Sequence, residues 1–198
     1  MVWQPDYATV AELKSFLRIG DTADDAELAL AVAAASRAVD LHTHRQFGQV
    51  AAAEERLFTA CWDRRPRRWT VELDDVQDLT GLTVTVEGGP ITVFTLEPVN
   101  AAQKGKPYTG LVVDTDSAVT PTSDEHGVTV TARWGWTAVP APVKEATLLQ
   151  ASRFHARRDS PYGVAGSPEL GSELRLLARV DADVGVALGK FVRSWSAA

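Results

Sequence analysis

The sequence predicts an α+β fold in which a helical domain of four to five helices carries an inserted antiparallel β-module. Three changes of pattern lead to this prediction. Apolar residues recur at helical intervals before about residue 45, alternate in β-branched-rich segments from about residue 54, and return to helical intervals after residue 140. We therefore divide the chain into N-terminal helices over 1–53, the β-module over 54–136, and C-terminal helices with a terminal arm over 137–198.

Two helices are predicted before the β-module. Thr9 and Glu12 have the spacing of a capping box, and apolar residues continue at helical intervals to Leu17. A longer helix is predicted over about 23–44, with acidic residues in its first turn, where they favour the helix dipole. Its alanines cover more than one face, which allows neighbouring helices or other subunits to approach on several sides, although ordinary core packing explains them equally.

The β-module is predicted from short alternating segments separated by turn sequences. These segments are residues 82–86, 91–94, 111–113 and 128–131, with further strands expected around Phe58 and over 69–73.

Helical spacing resumes at Pro140 and Pro142 and predicts a helix over about 141–158. Leucines between residues 174 and 180 suggest a short helix, and Asp181 is expected to cap another that runs through Phe191.

Composition and charge exclude several classes of protein. The chain has 198 residues, of which 45% are hydrophobic and 23% charged, which is ordinary for a globular protein. We expect no signal peptide and no membrane span, since no apolar stretch approaches roughly 18 residues. A single cysteine, Cys61, cannot form an internal disulfide. The net charge of -6 argues against nonspecific binding to nucleic acid, and only the segment 137–198 is basic, with 8 basic and 6 acidic residues.

No residue pattern in the chain predicts catalysis. His42 and His44 would point about 200° apart on a helix, which does not suit a shared metal ion. The glycines at 163, 166 and 171 follow a helix, whereas a phosphate-binding loop follows a strand and opens a helix. We therefore predict no catalytic residue, no metal site and no cofactor, and we interpret the glycine-rich segment as a joint before the basic terminal arm.

The strongest charge feature is a run of arginines between Trp62 and Trp69. It suggests a candidate contact with DNA or protein, because arginines grip phosphates and tryptophans stack on bases. The alternative is the solvated tip of a hairpin, with Pro66 in the turn, the arginines over the tryptophan rings, and the acids at 63, 72, 74 and 75 as local partners. The four candidate residues are Arg64, Arg65, Arg67 and Arg68.

Both ends of the chain resemble a known family. The helix over 9–17, the acidic opening of the second helix at Asp24 and Asp25, and its ending in Thr43-x-Arg45-x-Phe47 look like the start of phage head-tail connector proteins, which are also called head-completion or adaptor proteins. The segment Ala132-Arg-Trp-Gly-Trp136, the helix after it and the run 157–163 resemble the C-terminal half of this family in actinobacterial phages. The β-module has no counterpart in the smaller, all-helical members.

The resemblance implies a structural protein of long-tailed phage virions, located at the head-tail junction after synthesis in the host cytoplasm. Members form a ring under the portal vertex, expected here to hold about twelve copies, following the portal. The ring extends the DNA channel and links the portal to the next neck, stopper or tail protein. DNA is expected to pass through the lumen without specific binding, and no membrane, cofactor or catalysis is implied.

The terminal arm is the predicted contact with the portal, because it combines basic residues with aromatic anchors. An alternative is that its apolar residues complete the helical core. A runner-up function is a DNA-binding accessory protein that uses the arginine run. The candidate portal-contact residues are Arg157, Arg158, Tyr162, Arg175, Arg179, Phe191, Arg193 and Trp195.

Overall fold

A computed structural model of the chain describes residues 3–158, 164–165, 174–175 and 182–193. Within these residues the chain forms four α-helices and a seven-stranded antiparallel sheet, so the predicted α+β class is confirmed. None of the described helices is long and apolar enough to cross a membrane.

The elements follow one another in the order that the change of pattern predicts. The helices are α1 (Val10–Leu17), α2 (Asp25–Thr43), α3 (Ala141–Arg158) and α4 (Ala182–Leu188), with short 3-10 turns at Ala102–Lys104 and Gly189–Phe191. The strands are β1 (Glu54–Phe58), β2 (Ala60–Asp63), β3 (Arg68–Val86), β4 (Gly89–Pro90), β5 (Thr95–Glu97), β6 (Tyr108–Asp114) and β7 (Val128–Trp134), with β8 (Val164–Ala165) and β9 (Leu174–Arg175) forming a separate pair.

Two compact units divide the chain: a helical unit of residues 1–47 and 139–198, and a sheet unit of residues 48–138. The helical unit is built on a cluster of small and branched side chains from α1, α2 and α3, which includes Leu13, Leu28, Val32 and Ala151. The predicted capping box is present at the start of α1, where the Thr9 and Glu12 side chains and backbones bond reciprocally.

An aromatic series joins distant parts of the helical unit. The Tyr7 and Phe191 rings each meet the Phe47 ring edge-on, with centroids 5.5 and 5.7 Å from it. The Arg193 backbone N–H donates to the Thr43 carbonyl at 2.8 Å. Phe191 and Arg193 are therefore packed at the end of α2, so these two residues of the predicted arm belong to the helical core.

The sheet unit has the strand order β1-β7-β3-β6-β5, and β2 and β4 pair with β3. Strand β3 takes in both the 69–73 and the 82–86 segments, which the sequence presented as separate strands. Its pairing with β7 shifts register around Asp78 and again before Thr83, because the residues between them bulge out of the ladder at the exposed Gly81.

The two ends of the sheet unit lie side by side. Trp136 donates its backbone N–H to the Gly48 carbonyl at 2.8 Å, and Val50 donates to the Trp134 carbonyl at 3.0 Å. Gly135 has φ 104°, and a Cβ there would overlap the Gly48 carbonyl oxygen, so only glycine fits. The indole N–H groups of Trp134 and Trp136 donate to the Glu54 carbonyl and to Asp75, each at 2.8 Å.

Two predicted elements are wrong. Residues 91–94 do not form a strand: Ile91 is buried and donates its N–H to the Val84 carbonyl, but the chain then leaves the ladder with Val93 exposed, and the next strand begins at Thr95. The suggested helix over 174–180 begins instead with strand β9, since Leu174 and Arg175 pair with Ala165 and Val164. Residues 176–180 lie outside the described part of the chain.

Candidate functional site

The arginine run forms the tip of the β2–β3 hairpin. Trp62 pairs with Trp69 and Asp63 with Arg68 across the two strands, and residues 64–67 make the turn. Asp63 holds this turn by accepting the Arg65 backbone N–H at 3.2 Å. Arg67 has φ 50°, a left-handed conformation that closes the turn before β3 begins. The hairpin interpretation of the run, with Pro66 in the turn, is confirmed.

The arginines of this tip do not share one environment. Arg68 lies beside Glu97 of β5, with 3.3 Å between guanidinium nitrogen and carboxylate oxygen. The Arg64, Arg65 and Arg67 side chains are exposed and make no ion pair or hydrogen bond within the described chain. We call these three residues the arginine tip. Its positive charge is held on a short turn and is available to an anionic partner.

The surroundings of the arginine tip differ from the predicted ones in two respects. The tryptophans pack against each other, with ring centroids 5.1 Å apart and planes at 59°, and the arginine placed over a tryptophan ring in the described chain is Arg56, at 4.7 Å from Trp134. Asp74, expected as a local partner of the run, instead binds Arg56 at 2.6 Å. The sequence does not predict either contact of Arg56, because β1 comes close to Trp134 and Asp74 only in the folded sheet.

A groove of about 430 Å³ opens beside the tryptophan pair. It is lined by both indole rings and by three hydroxyl side chains of the loop after β6. Aromatic surface, hydroxyl donors and nearby guanidinium groups together suit a partner that carries both flat or apolar groups and anions. The lining residues are Trp62, Trp69, Thr115, Thr120 and Ser123.

The candidate portal-contact residues are placed unevenly. Arg157 and Arg158 lie in the last turn of α3, and the Arg157 side chain is half-buried. Phe191 and Arg193 are buried. The backbone of Arg175 lies in β9. Tyr162, Arg179 and Trp195 lie outside the described residues.

The burial of α4 agrees with the alternative that the C-terminal apolar residues complete the helical core. Val184, Leu188 and Phe191 are all buried. A portal contact through Phe191 or Arg193 stays a prediction, and any variant at these positions requires a folding control. Arg157 and Arg158 belong to α3, so a change of charge there keeps every buried side chain of α4 in the chain.

A buried polar network in the helical unit had no sequence signal. The Tyr7 hydroxyl donates to Asp40 and accepts the Phe47 backbone N–H at 2.9 Å. Burial, together with the bond to Asp40, raises the pKa of Tyr7, and burial also raises the pKa of Asp40. Arg37 lies 3.0 Å from Asp40 and donates to the Pro5 carbonyl at 2.6 Å. These contacts tie the segment before α1 to α2, and a separation of 33 residues hides them in the sequence.

Metal or nucleophile chemistry gains no support from the described residues. No group of three or more His, Cys, Asp or Glu side chains comes together within them in a way that could hold a metal ion. His42 lies in the last turn of α2 and His44 caps it, as the helical interpretation of the pair requires. Cys61 is an exposed free thiol on β2.

The fold is similar to that of chains in solved structures, although the sequence matches no known family. No protein-family model matches the chain, and no curated protein matches its sequence. Two solved structures match over the whole chain and over 95% of their own chains: the neck of an empty gene transfer agent (GTA) particle computed with C6 symmetry, with a TM-score of 0.59 and 18% identity, and the neck of a native GTA particle computed with C12 symmetry, with a TM-score of 0.50 and 17% identity. At these identities the likeness is one of fold.

Proposed function

We propose that the chain is a structural neck protein of a phage-like particle, a head-tail connector located at the virion's head-tail junction. The observation that carries this proposal is the match of the whole chain, helices and sheet together, to chains of GTA particle necks. It agrees with the connector resemblance of the sequence, which came from residues at both ends of the chain. No catalytic role is part of the proposal.

In this proposal the helical unit is the connector domain and the sheet unit is its inserted β-module. The side-by-side entry and exit of the sheet unit at Gly48 and Gly135 support this assignment, because an inserted module needs its two ends together. The Ala132–Trp136 motif that carried part of the resemblance supplies that junction. Its tryptophans and glycine are therefore explained by folding, with no binding role required.

Copies of the chain form a ring under the portal vertex that extends the DNA channel and presents a surface to the next neck, stopper or tail protein. The C6 and C12 symmetries of the two matched necks support a ring, and twelve copies would follow the portal. Residues 1–136 carry a net charge of -8, and an acidic lumen would repel DNA phosphates over roughly 8 Å at physiological salt. A map of the ring with a basic lumen would remove this part of the proposal.

The portal contact is tested by charge reversal at the end of α3. Arg157→Glu with Arg158→Glu is expected to weaken capture by immobilised portal at least tenfold, because two favourable charges become repulsive. The matched control, Arg64→Glu with Arg65→Glu, makes the same charge change at the arginine tip and is expected to leave capture unchanged. Equal capture of both variants and of the wild type would contradict the predicted contact.

Truncation after Gly171 tests the portal contact by removing all residues from 172 to the C-terminus. It is expected to abolish portal capture and to leave the sheet unit folded. The truncation also removes the buried Leu188, which can unfold the helical unit. Circular dichroism at 222 nm must therefore show whether the helices remain folded. Unchanged capture by the truncated chain would refute a portal-binding arm outright.

A DNA-binding accessory role is the second candidate, and the three arginines of the tip, which lack partners in the described chain, favour it. If it is correct, retention on duplex DNA falls with salt, and replacing Arg64, Arg65 and Arg67 by alanine lowers the slope of log K against log salt by about 0.9 for each phosphate that the variant no longer neutralises. Capture by portal, with no DNA retention at about 150 mM salt, which is physiological ionic strength, is the result expected of a connector.

A further inference from the structure

Helix α2 exposes a second apolar face, opposite the one that it buries. Leu28, Val32 and Val39 are buried, whereas Leu30 is 72% exposed and Leu41 77% exposed. Leu30 and Leu41 are 11 positions apart and lie on one face, about 16 Å from each other at 1.5 Å per residue. Ala26 and Ala34 share this face and are also exposed. We call these four residues the outer α2 face.

An apolar stripe on a helix normally faces a core or a partner. The outer α2 face combines alanines, over which another helix can approach closely, with two leucines that project from it. The arginine between the two leucines, Arg37, is paired with Asp40 and donates to the Pro5 carbonyl. Covering the face therefore buries a charge that already has an opposite charge beside it, which lowers the cost of burying it.

A second exposed apolar surface lies on α4 and the 3-10 turn that follows it, in the same helical unit. Val186 is 82% exposed there. A Cβ added at Gly185 or Gly189 would meet no atom within 4 Å, so the space beside Val186 is open. Glycines flanking one exposed valine let another helix approach closely, as the alanines of the outer α2 face do. We call Gly185, Val186 and Gly189 the α4 patch.

We propose that the outer α2 face of one copy packs against the α4 patch of a second copy. Every copy carries both surfaces, and a contact between two different surfaces repeats from copy to copy and forms a ring when the rotation between copies closes. This proposal rests on the proposed function, because the ring of a neck is what gives the contact its place. Cyclic symmetry in the matched necks points to a second copy as the occupant.

Cysteine cross-linking tests the contact in rings assembled on purified portal. In a Cys61→Ser background, Leu30→Cys combined with Val186→Cys is expected to give a ladder of covalent multimers on a non-reducing gel after mild oxidation. Each single variant is the matched control and is expected to remain monomeric, since the one introduced thiol then faces no thiol on the neighbouring copy. A ladder only in the double variant supports the proposal.

Two outcomes overturn it. The first is absence of a ladder in the double variant while the chain is present on the portal. The second is dimer formation by Leu30→Cys alone, which would mean that two α2 faces meet. If the wild-type chain does not assemble on the portal, the proposed function fails, whatever the cross-link shows in solution.

An independent measurement avoids cysteine chemistry. Leu30→Asp with Leu41→Asp is expected to reduce the ring fraction in electron micrographs at least tenfold while the far-ultraviolet dichroism stays that of the wild type. Val93→Asp, at an exposed apolar residue of the sheet unit, is the matched control and is expected to form rings normally. Rings in both variants would overturn the proposal, and so would loss of rings in both.

Discussion

The helical unit and the sheet unit expose different chemistry. In the helical unit, large apolar side chains project from α2 and α4. In the sheet unit the exposed aliphatic residues Leu57, Leu79, Val93 and Val99 lie on separate segments, and the concentrated feature is the arginine tip. Apolar faces suit contacts that stay closed, because their stabilisation is insensitive to salt, whereas exposed arginines suit contacts that form and break with ionic strength. On our proposal, the helices therefore close the ring and the hairpin makes a salt-dependent contact.

The two units also differ in how they are held together. Helices of the helical unit pack through many small side chains, so its stability is spread over its core. The sheet unit also buries a core, which includes Leu73 and Leu111, and in addition it has a junction where Gly48, Gly135 and Trp136 bring its two ends together. A substitution in one unit is therefore expected to change the stability of that unit only.

The largest effect is expected at the junction of the sheet unit. Gly135→Ala places a Cβ against the Gly48 carbonyl and strains a positive φ, and it should lower the free energy of unfolding by at least about 3 kcal/mol. Four of the six tryptophans lie within residues 48–138, so tryptophan fluorescence in a urea titration reports mainly on this unit.

Gly81→Ala is the control for that measurement. Gly81 also has a positive φ, of 75°, but a Cβ there meets no atom within 4 Å. Strain without overlap should cost only about 1–2 kcal/mol. Equal losses for the two variants would contradict the role given to the junction.

An effect of similar size is expected in the core of the helical unit. Leu188 is fully buried, and Leu188→Ala should cost about 2–5 kcal/mol, seen as a lower midpoint of the dichroism signal at 222 nm. Val186→Ala, two positions earlier on the same helix but exposed, should change stability by no more than about 0.5 kcal/mol. If Leu188→Ala were equally silent, α4 would be an undocked arm and not part of the core.

The smallest effect concerns pH. Hydrogen bonding to Lys144 at 2.7 Å, with a contribution from Thr9, lowers the pKa of Glu12 below its usual value of 4.5. The folded pKa is depressed, so its stabilisation is present above about pH 4.5 and is lost as the pH falls through the folded value. Glu12→Gln keeps the capping-box geometry but removes the charge, and should cost at most about 1 kcal/mol at pH 7.

The check is a series of thermal melts of both proteins from pH 7 to about pH 3, well below the usual pKa of the group. The difference in Tm should be present at neutral pH and vanish at the acidic end. A difference that is constant across the series would show that the charge of Glu12 has no part in it.

How far the sequence predicts the fold depends on the range of the forces involved. The α1 cap and the bounds of α3 follow from spacing alone, because both depend on neighbours along the chain. The strand expected at 91–94 fails because Ile91 and Val93 alternate correctly but find no partner strand beyond the first bond. Alternation indicates that a segment can be a strand, and only the sheet decides whether it is one.

The candidate sites also differ in how far they can be predicted from neighbours along the chain. The arginine tip was predictable, since a Pro between paired arginines and flanking tryptophans indicates a hairpin turn. The outer α2 face was only half predictable: the alanines indicated several apolar faces, but which face stays exposed depends on where α1 and α3 pack. The bond of Tyr7 to Asp40 and the partner of Arg68 at Glu97 depend wholly on tertiary contacts.

Electron microscopy of the chain bound to its portal, or of the purified particles, tests the central claim most directly. We expect a ring of this chain at the head-tail junction, with the outer α2 face of each copy turned to the next and the arginine tip outside that contact. Density for the chain elsewhere in the particle, or its absence from the neck, would contradict the proposed function.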